Sequence, residues 1–275
     1  MRTFEYITEE SLSVQDLLYR NGYSKRLVIA LKQTENGLVV NGKRVRSTTL
    51  LSKGDKLVVT MPEAGGRKNK SLRSIPVVYE DDDIIVCDKP AGVVCHRSGG
   101  HQSDTLEHVF SDRTFRAVCR LDKDTSGLMV IAKHQLAAAA LHGNIDKEYI
   151  AVVNGVFGEK EGVIELPIMR EAAFEPKQIV DEDGLPSRTL YRVIWEGDGR
   201  SAVSCILHTG RMHQIRVHMS AVGHPLFGDV MYGGKTDEIV RHALHCAKIG
   251  FIHPITKMKL EFASDLPDDM CALMR

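Results

Sequence analysis

Between residues 13 and 60, apolar positions fall at Val14, Leu17 and Leu18, and again at Leu27, Val28 and Leu31. These spacings gather on one face of a helix. Asn21-Gly22 interrupts the pattern, so two short helices are predicted, with Ser24 capping the second. The run GLVVNGKRV then reads as a strand pair about Asn41-Gly42, a strong tight-turn signal. SKGDKLVVTM adds a turn and a closing strand. Residues 64–75 begin as a Gly-rich, basic stretch with little apolar content and read as a flexible linker. From residue 76 onward, β-rich runs alternate with turn signals: VVYEDDDIIVCDKP, GLMVIAK, EYIAVVNGVF, TLYRVIW, SAVSCILH and MKLEFAS. Helical patterns interrupt them at HQLAAAALHGNI and MHQIRVHMSAV. The order is not a regular βαβ repeat. It predicts an α+β body over 76–275, with a mixed, largely antiparallel sheet flanked by helices, preceded by a small α/β module over 1–63.

Composition fits this picture. Apolar residues make up 43% of the chain, enough for a packed core. No apolar run approaches the roughly 20 residues of a membrane span. The start, MRTFEYITEE, has no apolar stretch of signal-peptide type. The six cysteines are scattered without a C-x-x-C pair, as free thiols of a reducing compartment would be, so a cytoplasmic protein is expected, and a monomer. Twelve histidines include no H-E-x-x-H, and His208, His213 and His218 recur at a step that aligns on neither a helix nor a strand face. No metal site is therefore expected. The formal net charge is zero, but residues 1–75 hold fourteen Lys/Arg against seven Asp/Glu, a surplus of +7 that the remainder must balance. That asymmetry suggests a basic module meeting a polyanion, attached to a less basic body.

The segment most informative for chemistry is Arg120-Leu121-Asp122-Lys123-Asp124-Thr125-Ser126-Gly127, leading into the apolar strand Leu128–Ala132. Its residue types place a carboxylate at a sheet edge among hydrogen-bonding side chains that can fix its rotamer. The same residues also make ordinary turns. No Gly-rich phosphate loop of either standard spacing is present.

R-L-D-K-D-T-S-G-L closely resembles the catalytic loop of the A-type pseudouridine synthases of large-subunit ribosomal RNA and transfer RNA. The resemblance continues in order through the body. It takes in Val78–Val86 with Lys89-Pro90-Ala91-Gly92 and His96, then Lys147–Gly155, Gly184–Thr189, Thr209–His218 with Gly223-His224-Pro225 and Gly228-Asp229, and finally His242–His245 with Phe251–Pro254. Within 13–60, Leu17-Leu18, Gly22–Arg26, Val40–Lys43 and Gly54-Asp55 resemble the small αL-type RNA-binding module of a ribosomal protein and many RNA-modifying enzymes. The pseudouridine synthase fold is thereby implied, with isomerisation of uridine in structured RNA, ribosomal RNA ahead of transfer RNA. It implies Asp122 as the catalytic carboxylate, acting as nucleophile or as base; the residues leave both open. Tyr149 is implied against the target base, with a part in proton removal from carbon 5. Arg216 is implied as the partner of Asp122, a cation that would keep it ionised. The resemblance also implies Ile215 lining the base pocket, Arg120 contacting the displaced duplex or flanking phosphates, and Lys25, Arg26 and Lys43 facing RNA phosphates. The reaction is redox-neutral, so no cofactor is implied. Cys119 stands where the family usually has His, before the loop, and altered packing or substrate contact is expected there. Two other readings stand beside this one. A catalytically silent RNA-binding or ribosome-assembly factor on the same fold would have lost its reactive set, which here is intact. A hydrolase using Asp122 with His213 or His218 lacks any Ser or Cys nucleophile elbow.

Overall fold

A computed structural model describes residues 2–62, 74–97, 105–111, 114–173 and 175–275. Most of the expected linker at 64–75, including Arg67 and Lys68, lies outside the described residues. The fold is α+β, with two main sheets of unequal size, a separate apolar core under each, and two small two-stranded sheets beside them.

The smaller sheet runs in the order Thr3–Ile7, Lys56–Thr60, Leu38–Val40, Lys43–Arg44, with every pair antiparallel. Two helices, Val14–Arg20 and Lys25–Gln33, cover it. Ser13 and Ser24 cap them by accepting the backbone N–H groups of Asp16 and Leu27, so each satisfies a donor that the first turn leaves unpaired. Val14, Leu18, Leu27, Val28 and Leu31, the apolar positions of the helical pattern, are buried against Leu38, Leu57 and Val59. Asn41 and Gly42 both take positive φ, 48° and 82°, which suits a tight hairpin turn. Strand Thr3–Ile7 was not read from the pattern. Its Phe4 and Tyr6 are only half-buried, and a strand with one face in solvent carries a weak apolar signal.

The larger sheet runs Glu161–Glu165, Arg188–Gly197, Arg200–Leu207, Asp146–Asn154, Leu244–Ile252, Ser126–Ala132, Ile84–Lys89, Val77–Glu80, with Lys259–Ala263 and Arg116–Ala117 attached at its sides. The pairings are antiparallel except for one: Ser126–Ala132 lies parallel to Leu244–Ile252, with Ser126 opposite His245 and Gly127 opposite Cys246. The two backbones approach so closely there that a Cβ on Gly127 would lie 2.3 Å from the Cys246 carbonyl oxygen, and Gly127 sits at φ 113°. Only glycine fits. This contact fixes the turn that precedes Gly127, and that turn carries Asp122. Helix Gln214–Ala221 packs below, buried from Gln214 through Met219.

The two cores meet at the start of helix Gln135–Leu141. Its cap, His134, donates through Nε2 to Asp83 at 2.9 Å because its Nδ1 accepts the Ala137 N–H. Arg2 pairs with the same Asp83 at 2.9 Å, Gln135 donates to the Ser24 hydroxyl at 2.9 Å, and Leu136 packs on the smaller core.

Candidate active site

The turn 120–126 is held from all sides. The buried Lys89 ammonium donates to the carbonyls of Pro90, Val93 and Lys123 at 3.0, 2.9 and 2.9 Å. Burial pushes its pKa down to about 8, the cost of taking an ammonium out of water. The Gly92 N–H donates to the same Lys123 carbonyl, and the Cys95 thiol donates to Leu121. Arg241 reaches the Asp124 carbonyl at 3.3 Å. The Thr125 hydroxyl bonds His242 Nε2 at 2.7 Å, and the Ser126 hydroxyl bonds His245 Nδ1 at 2.9 Å. Burial, with Arg216 and Arg241 adding to it, pushes the His242 pKa down to about 2, so this ring is neutral at any working pH. Within this frame the Asp122 carboxylate points into a cleft, its side chain 30% exposed.

The opposite wall comes from helix Gln214–Ala221. Arg216 grips Asp229 with two short bonds, Nε to Oδ2 at 2.7 Å and Nη2 to Oδ1 at 2.8 Å, while its remaining Nη1 lies 3.3 Å from Asp122 Oδ2. The guanidinium also sits 5.0 Å from the Tyr232 ring centroid. Burial works against this cation, but the two carboxylates outweigh it and raise its pKa above the usual arginine value. Ile215 and Tyr149 complete the cleft with Leu121, Leu207 and Leu244. Tyr149 lies on strand Asp146–Asn154 at a register shift between Glu148 and Tyr149, and burial raises its phenol well above the ordinary value. His213, at the helix start, presents Nε2 3.7 Å from Asp122 Oδ2. The cleft is narrow and open, with about 70 Å³ of free volume.

Five of the expected site residues therefore share one cleft: Asp122, Tyr149, Arg216, Ile215 and, exposed at its lip, Arg120. The other three do not. Lys25, Arg26 and Lys43 stand exposed on the smaller unit, away from the cleft lining. Sequence reasoning gave no role to Asp229 or Lys89, and named His213 only in the hydrolase reading. Lys89 had a usable signal, a lysine closing the apolar run IIVC. The Asp229 pairing spans 13 residues and leaves no local pattern. Cys119, half-buried before the turn, lies among the groups that act on Tyr149 and Cys246.

Elsewhere, Asp81, Asp83 and His253 bring ligand-type atoms within 4.8 Å of one another. These atoms are already engaged. Asp81 Oδ1 accepts the N–H groups of Asp83 and Ile84, His253 Nε2 meets Asp81 Oδ2 at 2.9 Å, and Asp83 is taken by Arg2 and His134. No helix among the described residues is long and apolar enough to cross a membrane.

Residues 83–221 match the family model described as RNA pseudouridylate synthase. The chain is 36% identical to the uncharacterized RNA pseudouridine synthase YjbO of Bacillus subtilis, over 96% of this chain and 99% of that one. It is 38% identical to ribosomal large subunit pseudouridine synthase D of Vibrio parahaemolyticus, covering 85% and 81% of the two chains. Among solved structures it resembles human RNA pseudouridylate synthase domain containing 1, with a TM-score of 0.60 and 28% identity over 72% of this chain and 86% of that one. The fold, the matched span and these relatives agree: the chain belongs to the RNA pseudouridine synthase family, enzymes that isomerise uridine in RNA.

Proposed function

We propose that this protein converts specific uridines of structured RNA to pseudouridine, in ribosomal RNA ahead of transfer RNA, with Asp122 starting the reaction as nucleophile or base. The isomerisation breaks the bond from ribose C1′ to uracil N1 and forms one from C1′ to C5. A proton leaves C5 and N1 gains one. The observation that carries the assignment is the isolation of Asp122: its neighbours in the turn are tied down, and its own carboxylate faces the cleft with one cation at 3.3 Å. A target base inside a stem has to be turned out to reach such a cleft. Ile215 and Tyr149 supply apolar surface for it. The strongly held phenolic proton of Tyr149 suits a stacking wall better than a base acting on C5. Arg120 at the lip is suited to flanking phosphates, and Lys25, Arg26 and Lys43 to the RNA beyond the site. On this reading, residues 1–63 act as an RNA-binding module, 76–275 as the catalytic domain, and the protein works as a cytoplasmic monomer. The ribosomal preference is supported by relatives named for the large ribosomal subunit.

Pseudouridine mapping of ribosomal and transfer RNA, with and without the gene, tests the substrate. Asp122→Asn keeps size and removes the ionisable group; product formation should fall by more than about 1,000-fold with RNA affinity unchanged. Residual turnover of several per cent would remove Asp122 from its role.

A further inference from the structure

His213 is the residue before helix Gln214–Ala221, and its backbone is left-handed, with φ 55° and ψ 18°. For a residue with a Cβ this conformation is strained, and such strain clusters at functional sites. The ring is largely buried, its side chain 10% exposed, and it lies edge-on to Tyr232. Its hydrogen-bond partners favour one protonation pattern. The Tyr232 hydroxyl oxygen accepts the Gln178 N–H at 2.9 Å, and among the described contacts His213 Nδ1, 3.0 Å away, is the acceptor open to its proton, so we assign the hydroxyl proton to that bond. Nδ1 is then the acceptor, and the ring proton sits on Nε2. Nε2 is the atom that faces Asp122 Oδ2, at 3.7 Å.

We propose that His213 is a positioning residue for the reaction: its neutral imidazole, set by Tyr232, supplies a second N–H donor that orients Asp122 Oδ2 once RNA fills the cleft. The contact is longer than a hydrogen bond in the free protein, and catalytic contacts of this kind commonly tighten on substrate binding. The neutral state matters because of the charges around the ring. Asp122 faces it from the turn, Arg216 from its own helix, Asp229 and Tyr232 from the segment after it, and His242 from the segment before strand Leu244–Ile252. Arg216 is already bound by Asp229, so Asp122 is held by the spare end of one cation and by one neutral donor. A protonated His213 would add a full charge beside Asp122 and lock it into a stronger ion pair. It would also place a proton on Nδ1, where the Tyr232 hydroxyl now donates. Burial, reinforced by Arg216, holds the ring below the ordinary histidine pKa of about 6.5 against the pull of Asp122 and Asp229. The neutral form therefore persists through neutral pH.

The proposal rests on the reading that Asp122 starts uridine isomerisation. It is tested with the full-length protein and total RNA tritiated at uracil C5, taken from cells lacking the gene, by following tritium release from pH 5 to 8. Wild-type kcat should fall as pH drops through a value below about 6.5. His213→Ala and His213→Asn should lower kcat about 10- to 100-fold at neutral pH, leave KM for RNA within about twofold, and lose that acid limb. Asparagine tolerates the left-handed backbone, so it separates lost chemistry from lost folding. Tyr232→Phe keeps the ring but frees the tautomer, and should give an intermediate fall with a displaced acid limb. A live wild type and a dead Asp122→Asn, with His213→Asn and Tyr232→Phe matching wild type at every pH, would overturn the role of His213 alone. A folded wild type that releases no tritium would overturn the reading of the reaction, and this proposal with it.

Discussion

Beneath Asp122, three cations are buried and matched. Arg216 holds Asp229 and reaches Asp122, Lys89 is fully buried against three carbonyls, and Arg241 holds Asp269 at 2.7 and 2.8 Å while bracing the turn. In the smaller unit, Lys25, Arg26 and Lys43 stand exposed, with no acidic partner at ion-pair distance among the described residues. The same residue types do different work in the two places. A buried, paired cation fixes geometry, and its removal leaves a charge or carbonyl stranded in low dielectric. An exposed, unpaired cation fixes nothing in the fold, but is available to an outside polyanion at little cost. Loss of a catalytic-region cation or its partner should therefore register in stability and turnover. Loss of an exposed one should register in RNA affinity and its salt dependence.

The largest effect is expected at Asp229. Asp229→Asn preserves shape, but leaves the buried Arg216 without its principal counter-charge. Breaking a buried pair from one side costs about 3–5 kcal/mol, so the urea midpoint should drop sharply. Turnover should fall as well, because Arg216 is then free to swing fully onto Asp122. A stability loss below about 1 kcal/mol would mean that the pair is solvated in solution, and the contrast between the two regions would weaken.

Lys89 should show a smaller effect, and one that depends on pH. Its folded pKa of about 8 lies below the ordinary lysine value of 10.5. Between these values the unfolded chain binds more protons than the folded one, so this residue's contribution to stability rises with pH across that window. Below pH 8 the penalty for burying the charge is fully present; above 10.5 it is gone. Lys89→Met removes the titration. The stability of the wild type relative to the variant should therefore grow by up to roughly 3 kcal/mol between pH 7.5 and 10.5. Paired urea titrations at the two pH values measure it, and a constant difference would show that water reaches the ammonium.

Much of the fold could be read from the chain because its strands alternate and its helices are capped: EYIAVVN, TLYRVIW and SAVSCIL became neighbouring strands, and Ser24 caps its helix as its position suggests. Strand Leu244–Ile252 escaped pattern reading although it is central. His245, Lys248 and Gly250 interrupt its apolar run, and it borders the one parallel pairing of the sheet. The site divides in the same way. Asp122, Tyr149, Ile215 and Arg216 lie in ordered motifs and meet in one cleft. What those motifs did not disclose was how the cleft is charged. The Lys89 link to Lys123 crosses 34 residues, and the His213 tautomer depends on Tyr232 and, through it, on Gln178. Such relations are tertiary, and periodicity carries no trace of them.

The smallest effect is expected at the exposed cations. Replacing Lys25, Arg26 and Lys43 together by alanine should leave stability within about 0.5 kcal/mol of wild type, since no described partner is stranded. RNA affinity should change differently. A lysine or arginine that meets a phosphate releases condensed counterions, so each lost contact should flatten the slope of log K against log salt by about 0.7 to 0.9. If all three side chains meet phosphates, the slope should fall by roughly two units, and the affinity gap between wild type and variant should be wide at low salt and narrow as salt rises. Filter binding of full-length ribosomal RNA transcripts at several potassium chloride concentrations measures both quantities. A weaker affinity with an unchanged slope would point to altered packing of the helix that begins at Lys25. An unchanged affinity and slope would take Lys25, Arg26 and Lys43 out of RNA recognition and leave it to the other cations of the chain.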